Sequence, residues 1–269
     1  MSAPVSRVLI TGAGSGIGAA TVTALERRGA EVIGLDLAAA GDRILACDVT
    51  DQRAVDAAVA GAVERLGGLD VLINCAGVGF AQSAGAPPDD AALRVLDVNL
   101  LGPWRVTSAA LEPLLESRGR VVNVASGLAH LSVPFATAYC KSKRGVVAYS
   151  DALRSEFGDR LTVTTVYPGY IRTPIHAAAA EQGLSLEGTV PAEPLAAAAA
   201  ALVRAALGRP ARDLATTRRG TAGYAVLRRL PRRIVDWGLE RRLRSSVRDG
   251  GFEGSALAAD LRARLLDSR

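Results

Sequence analysis

Tyr139 and Lys143 stand four residues apart in the stretch YCKSK, which holds the only two lysines of a 269-residue chain that otherwise takes its positive charge from arginine. On a helix, residues four apart share a face, so the phenol and the ammonium project together while Lys141 points to the opposite side and into solvent. A free phenol has a pKa of about 10 and is a poor base at neutral pH, but a neighbouring ammonium favours the phenolate and lowers that value. Such a pair can exchange a proton with an alcohol or a carbonyl. Arginine would bring charge too, yet its wide planar fork cannot replace a compact ammonium that must also bond sugar hydroxyls. In isolation a Tyr and a Lys at this spacing also occur on ordinary helix surfaces, so the neighbours decide.

Ser126 ends the apolar run GRVVNVAS thirteen residues earlier, which puts a hydroxyl at the carboxyl edge of a sheet, where α/β folds bind ligands. Asn74 ends another run in Asn-Cys-Ala-Gly, bringing Ala76 and Gly77 with it, and Asn99 falls inside a helical pattern, where an unforced Asn is mildly unfavourable. Near the start, Thr11-Gly12-Ala13-Gly14-Ser15-Gly16-Ile17-Gly18 lies between a strand and a helix. There, glycines let the backbone turn sharply and approach a pyrophosphate at the helix's positive end. The next strand ends in Asp36, eighteen residues after Gly18, where a carboxylate can accept both hydroxyls of an adenosine ribose. The same carboxylate would repel a 2′-phosphate, and neither Ala13 nor Leu37 supplies a compensating cation, so NAD is favoured over NADP. Asp36 could instead cap a following turn. Asp48 and Val49 end the third strand, where an adenine edge could be read; an Asp there could equally start the next loop.

Several elements must position these groups. Strand-like runs that are apolar on both faces (VSRVLIT, AEVIGLD, RILACDV, LDVLINCAG, GRVVNVAS, RLTVTTVYPG) alternate with helical patterns over Ala19–Arg28, Gln52–Leu66, Asp89–Leu115, Phe135–Phe157 and Leu195–Leu207. That alternation predicts an α/β fold: a doubly wound parallel sheet covered on both sides. ARDLATT is a weak candidate for a last strand. The expected division is a nucleotide-binding and catalytic domain over residues 1–214 and an Arg-rich helical C-terminal extension over 215–269.

Hydrophobic residues make up 49% of the chain, enough to build the core of one α/β domain. MSAPVSR leads straight into a strand without the pattern of a secretion signal, and no apolar run approaches the roughly 20 residues of a spanning helix. Cys47, Cys75 and Cys140 are odd in number and lack metal-ligand spacing, which argues against a disulfide framework or a zinc site and fits a reducing cytoplasm. The net charge of +5 is uneven, with twelve arginines against four acids between residues 209 and 249. LRRLPRRIVDWGLERRLRSS mixes these arginines with apolar residues. It reads either as an interfacial helix drawn to anionic lipid or as a stripe of Leu227, Leu230, Ile234, Trp237 and Leu243 packed over the cleft or a partner subunit, with the arginines solvated. The second reading is favoured, and no nucleic acid partner is expected.

As a set, TGAGSGIG, Asp48, NCAG, Asn99, Ser126, YCKSK and Pro168-Gly169 closely resemble the short-chain dehydrogenase/reductase family, over roughly residues 5 to 207. The resemblance implies a single-domain Rossmann-type oxidoreductase that is a homodimer or homotetramer; the cysteines place it in the cytoplasm, and the basic tail would allow a membrane-peripheral contact. It implies that Tyr139 is the general acid/base, that Ser126 orients the substrate oxygen, that Lys143 binds the nicotinamide ribose and lowers the Tyr139 pKa, and that Asn99 holds a water in a proton relay. Pro168, Gly169, Ile171 and Thr173 would contact the cofactor, Thr173 at the carboxamide. Cys75 departs from the family pattern, which more often has a second Asn there. The substrate pocket is expected from Leu128, His130, Val133, Phe135, Tyr170, Ile175 and His176, mostly apolar, which favours a hydrophobic secondary alcohol or ketone. The competing reading is a non-catalytic nucleotide-sensing or scaffold protein on the same fold.

Overall fold

The alternating runs become one seven-stranded sheet in which every strand runs parallel to its neighbours. The computed structural model describes residues 5–184, 192–227 and 229–267. In chain order the first half comprises β1 (Arg7–Thr11), α1 (Gly16–Glu26), β2 (Glu31–Asp36), β3 (Ile44–Ala46), α2 (Gln52–Leu66), β4 (Val71–Asn74), α3 (Asp90–Leu96), α4 (Gly102–Ala109) and α5 (Leu111–Glu116). The second half adds β5 (Arg120–Val124), α6 (Thr137–Phe157), β6 (Thr162–Tyr167), α7 (Ala177–Glu181), α8 (Leu195–Leu207) and β7 (Asp213–Ala215). Beyond the sheet lie α9 (Arg218–Leu227), α10 (Arg232–Arg248) and α11 (Ala259–Asp267).

Strand order is β3-β2-β1-β4-β5-β6-β7, so the chain winds outward from β1 to β3 and then returns to β4 on the other side. Between β1 and β4 the order reverses, and at such a switch point the strands' carboxyl ends leave a crevice. Alternate side chains feed two cores. Leu9, Leu35, Leu72, Val121 and Val163 pack under α2, α4, α5 and α6, while Val8, Ile10, Ile73, Val122 and Val166 pack against Leu25 of α1 and Leu202 of α8. Each fully buried aliphatic side chain contributes about 1.5–3 kcal/mol. The weakly marked segment near Leu214 does form the edge strand, β7, parallel to β6.

The helical pattern over Asp89–Leu115 is not one helix. α3 passes into a π turn over Asp97–Leu101, which contains Asn99, before α4 and α5 begin. Pro103 and Pro113 each lack the amide that a continuous helix needs in its interior, and the chain divides into pieces that place them in first turns. Among the described residues no helix is long and apolar enough to cross a membrane.

Candidate active site

The glycine loop crosses the switch point because backbone fits there and side chains do not. Gly12 has φ +70, and a Cβ on it would lie 2.8 Å from Ala76 Cα; a Cβ on Gly18 would collide with the Gly12 carbonyl. Thr11 Oγ1 joins the two strands flanking the switch point, accepting from the amides of Cys75 and Ala76 at 3.0 Å each. Asp36, at the end of β2, accepts from Gly14 N at 2.7 Å and from Leu37 N at 2.8 Å. Its carboxylate thus braces the loop and still lines the crevice, with lone pairs left for further donors.

Past β3, on the same side of β1, Asp48 accepts from the Thr50 amide at 2.9 Å and from Thr50 Oγ1 at 2.8 Å, and pairs with Arg94 at 3.1 Å. Asp48 therefore starts the following loop and also borders the crevice. Arg94 was not apparent from the sequence as a crevice residue; it comes from α3, a helix whose facing could not be read from periodicity.

The proton-handling groups gather at the crevice's far end. Tyr139 and Lys143 share a face of α6, with the Lys143 ammonium 5.7 Å from the phenol ring centroid. Lys143 is only 4% exposed, forms no ion pair among the described residues, and donates to the Val124 carbonyl at the end of β5 at 2.9 Å. Burial pushes its pKa down to about 8. Ser126, two residues beyond β5, is buried; its Oγ accepts from Leu128 N at 3.2 Å. Burial pushes Tyr139 up to about 12, against which a hydrogen bond with Ser126 works. The expected lowering of the Tyr139 pKa by Lys143 is thus not found in the protein alone, because desolvation opposes charge on both groups. Lys141 is exposed, as its place on the opposite face predicts.

Asn99 is wholly buried. Its amide donates to Val78 O at 2.9 Å and Ser142 Oγ at 3.3 Å, and its carbonyl oxygen accepts from Val78 N at 2.8 Å. Both polar atoms of the side chain are engaged in holding the segment after β4 against α6. The expected water-holding role would fall to the second lone pair of its carbonyl oxygen.

The crevice has a volume of about 390 Å³ and is bordered by most of the residues read from the sequence: Gly12, Ser15, Gly16, Ile17, Gly18, Asp36, Asp48, Val49, Ala76, Gly77, Ser126, Leu128, Val133, Tyr139, Lys143, Pro168, Gly169, Tyr170, Ile171, Thr173, Ile175 and His176. Phe135 lines an adjoining chamber. Three residues expected in the site border neither cavity: Asn99, described above, Asn74 and His130. Asn74 does not border the crevice; its amide donates to Thr107 Oγ1 at 2.9 Å and Asn123 Oδ1 at 2.8 Å, cross-linking β4, α4 and β5 beneath the surface. His130 borders neither cavity, because its ring packs 4.7 Å from Tyr167 and 5.2 Å from Tyr224.

Tyr224 of α9 and Leu239 and Arg242 of α10 do reach the crevice. The anticipated packing of the tail over the cleft therefore occurs, but of the expected stripe only Leu243 is buried. Val235, Leu243 and Val247 are buried, whereas Leu230, Ile234 and Trp237 remain exposed.

A glycine-built cradle, an acidic group at the second strand's end and a polar trio at the far end match the donors and spacing of a nicotinamide dinucleotide. The short chain dehydrogenase family model matches residues 6–183. The chain belongs to the short-chain dehydrogenase/reductase family. Among curated family members it is 36% identical over 185 residues to D-threitol dehydrogenase of Mycolicibacterium smegmatis, covering 61% of this chain and 70% of the relative. It is 37% identical over 194 residues to the monensin polyketide synthase putative ketoacyl reductase of Streptomyces virginiae, covering 65% and 74%. Among solved structures, a short chain dehydrogenase from Burkholderia cenocepacia in complex with NADP matches with TM-score 0.74 over 87% of this chain and 98% of that one. At 24% identity, that likeness shows the fold.

Proposed function

We propose that the chain is an oxidoreductase that transfers hydride between a nicotinamide dinucleotide, NAD in preference to NADP, and a hydrophobic secondary alcohol or its ketone. The observation that carries this reading is the buried Lys143 ammonium beside the Tyr139 phenol and Ser126, at one end of a crevice whose other end is the glycine loop and Asp36. When bound, the dinucleotide supplies the hydride chemistry and, in its oxidised form, a positive charge. Tyr139 takes the alcohol proton during oxidation and returns it during reduction. Ser126 orients the substrate oxygen, and the Lys143 ammonium together with the charge of the oxidised dinucleotide would offset the burial that holds Tyr139 protonated. A protein that only sensed nucleotide would have no use for a phenol and a buried hydroxyl, Tyr139 and Ser126, gathered beside that ammonium. The preference for NAD rests on Asp36; of the two arginines that border the crevice, Arg94 and Arg242, the first is already paired with Asp48.

The deciding experiment is a screen of alcohols and ketones with both coenzymes, read by absorbance of the reduced form. Hydrophobic ketones should be reduced faster with NADH than with NADPH. A chain that turns over no substrate with either coenzyme while binding them would be a nucleotide sensor.

Two surfaces support further partners. Trp104 is 59% exposed and borders a groove with Tyr149, Leu153 and Phe157 between α4 and α6, an apolar face suited to a second copy of the chain. On α10, Trp237 is 62% exposed, with the Arg241 guanidinium 5.7 Å from its ring and Ile234 nearby on the same face. That combination suits peripheral contact with an anionic lipid surface.

A further inference from the structure

Behind Tyr139 lies a second chamber of about 190 Å³, which shares Leu128, Val133, Tyr139, Tyr170, Ile175 and His176 with the crevice. Its remaining walls are Phe80, Phe135, small residues such as Gly79, Ala81 and Ala179, and the buried Leu184, roofed by Leu243 of α10 and Phe252 of the turn after it. Among the described residues, no acidic or basic side chain borders it except His176, whose pKa burial lowers from its ordinary value.

The backbone at this roof is unusual. Among the described residues, only Arg118, Phe135 and Phe252 are non-glycine residues with positive φ, and the two phenylalanines stand at +61 and +65. A left-handed conformation is unfavourable for an aromatic residue and persists where surrounding structure holds it, often around ligand sites. Their rings meet edge to face, with centroids 6.4 Å apart and planes at 69°. One ring comes from the loop before α6 and the other from the tail, so this contact closes the tail over the chamber.

We propose that this chamber is the subsite for a long, uncharged hydrocarbon chain carried by the substrate, and that Phe252 and Leu243 set the chain length accepted. The inference rests on the reading of Tyr139 as the reacting end. The substrate class is then an extended aliphatic ketone or secondary alcohol, its oxygen at Tyr139 and Ser126 and its chain passing between Phe80, Phe135 and Phe252. A sugar or polyol would be disfavoured, since its hydroxyls would lose water and find, among the described side chains of the lining, only the polar groups of Tyr139, Tyr170 and His176.

The test is a series of methyl ketones from butanone to decanone. In the wild type, kcat/KM should rise at least tenfold along the series. Phe252→Ala should flatten that rise, whereas Ser245→Ala, on the exposed side of α10, should keep it. A flat profile in an active wild type, or an unchanged rise in Phe252→Ala, overturns the proposal. A readout independent of turnover uses calorimetry on Tyr139→Phe, with decanol and butanol as probes. Decanol should bind at least tenfold more tightly than butanol, and Phe252→Ala in that background should erase the difference. Equal binding of the two alcohols sinks the chamber even if the enzyme is active, whereas tight decanol binding without any turnover sinks only the redox reading.

Discussion

The dinucleotide crevice and the tail that roofs it are held by different means. Around the crevice, polar groups are buried in pairs: Thr11 with two amides after β4, Asn99 with Val78, Asn123 with Ser150, Lys143 with a strand carbonyl. Removing one partner of such a pair leaves the other stranded, so these positions resist change and hold their geometry. In α10, by contrast, only Val235, Leu243 and Val247 are buried, and the ion pairs of the tail, such as Arg244 with Glu240, are exposed and weakly stabilising. The reactive groups thus sit on a rigid frame, while the parts facing the distal end of the substrate hang on a few apolar contacts. A tail secured so lightly can vary without disturbing the proton machinery.

The largest expected effect falls on the frame. Tyr139→Phe should lower kcat by roughly 100- to 10,000-fold while dinucleotide affinity, measured by fluorescence titration, is retained. Comparable activity in that variant would break the division between a chemical frame and a variable roof.

Next comes Asn99→Leu, which strands the amide and carbonyl of Val78 and should cost about 1–3 kcal/mol in denaturant unfolding. A tail substitution such as Trp237→Ala, at an exposed position, should stay within about 0.5 kcal/mol in the same assay. Equal losses would remove the contrast. The same tail variant should weaken sedimentation with phosphatidylserine vesicles, and no lipid-dependent sedimentation of the wild type would remove the membrane reading.

A pH effect sharpens the comparison. Lys143 has a folded pKa of about 8 against an ordinary value of 10.5, so between those values the unfolded chain binds more protons and stability rises with pH. Tyr139 acts in the opposite sense above pH 10, where the unfolded phenol ionises first. Wild type minus Lys143→Met should therefore show stability increasing from pH 8 to 10, by thermal or urea unfolding. A flat difference would mean that the ammonium is better solvated than its burial implies.

The smallest effect expected is on coenzyme choice. Asp36→Ala should move the NADH to NADPH ratio of kcat/KM toward NADPH by about tenfold, near 1.4 kcal/mol. Because Asp36 also braces Gly14, affinity for both coenzymes should fall as well.

How much of this was legible in the sequence depended on range. α2 and α8 run over Gln52–Leu66 and Leu195–Leu207, as their periodicity predicted, and Asp51 caps α2 by accepting from the amides of Arg53 and Ala54. The glycine loop, Ser126 and the Tyr/Lys pair carry local signals of turn, strand end and helix face. Asn74 misled because a polar residue at a strand end looks the same whether it faces a crevice or a neighbouring strand. His130 misled similarly, since its partner Tyr224 lies far along the chain. Arg94, Tyr224 and Phe252 had no local signal at all.

The sequence by itself determined the parallel sheet, the glycine turn and the spacing of phenol and ammonium, because strand hydrophobicity, glycine freedom and the 3.6-residue helical turn act over a few residues. Only the tertiary structure decided which buried amides would be spent as internal braces and which face of α10 would close the chamber. It also decided that burial would outweigh the lysine's pull on the tyrosine in the protein alone. Those outcomes depend on solvent exclusion by distant segments, a property that no short stretch of chain possesses.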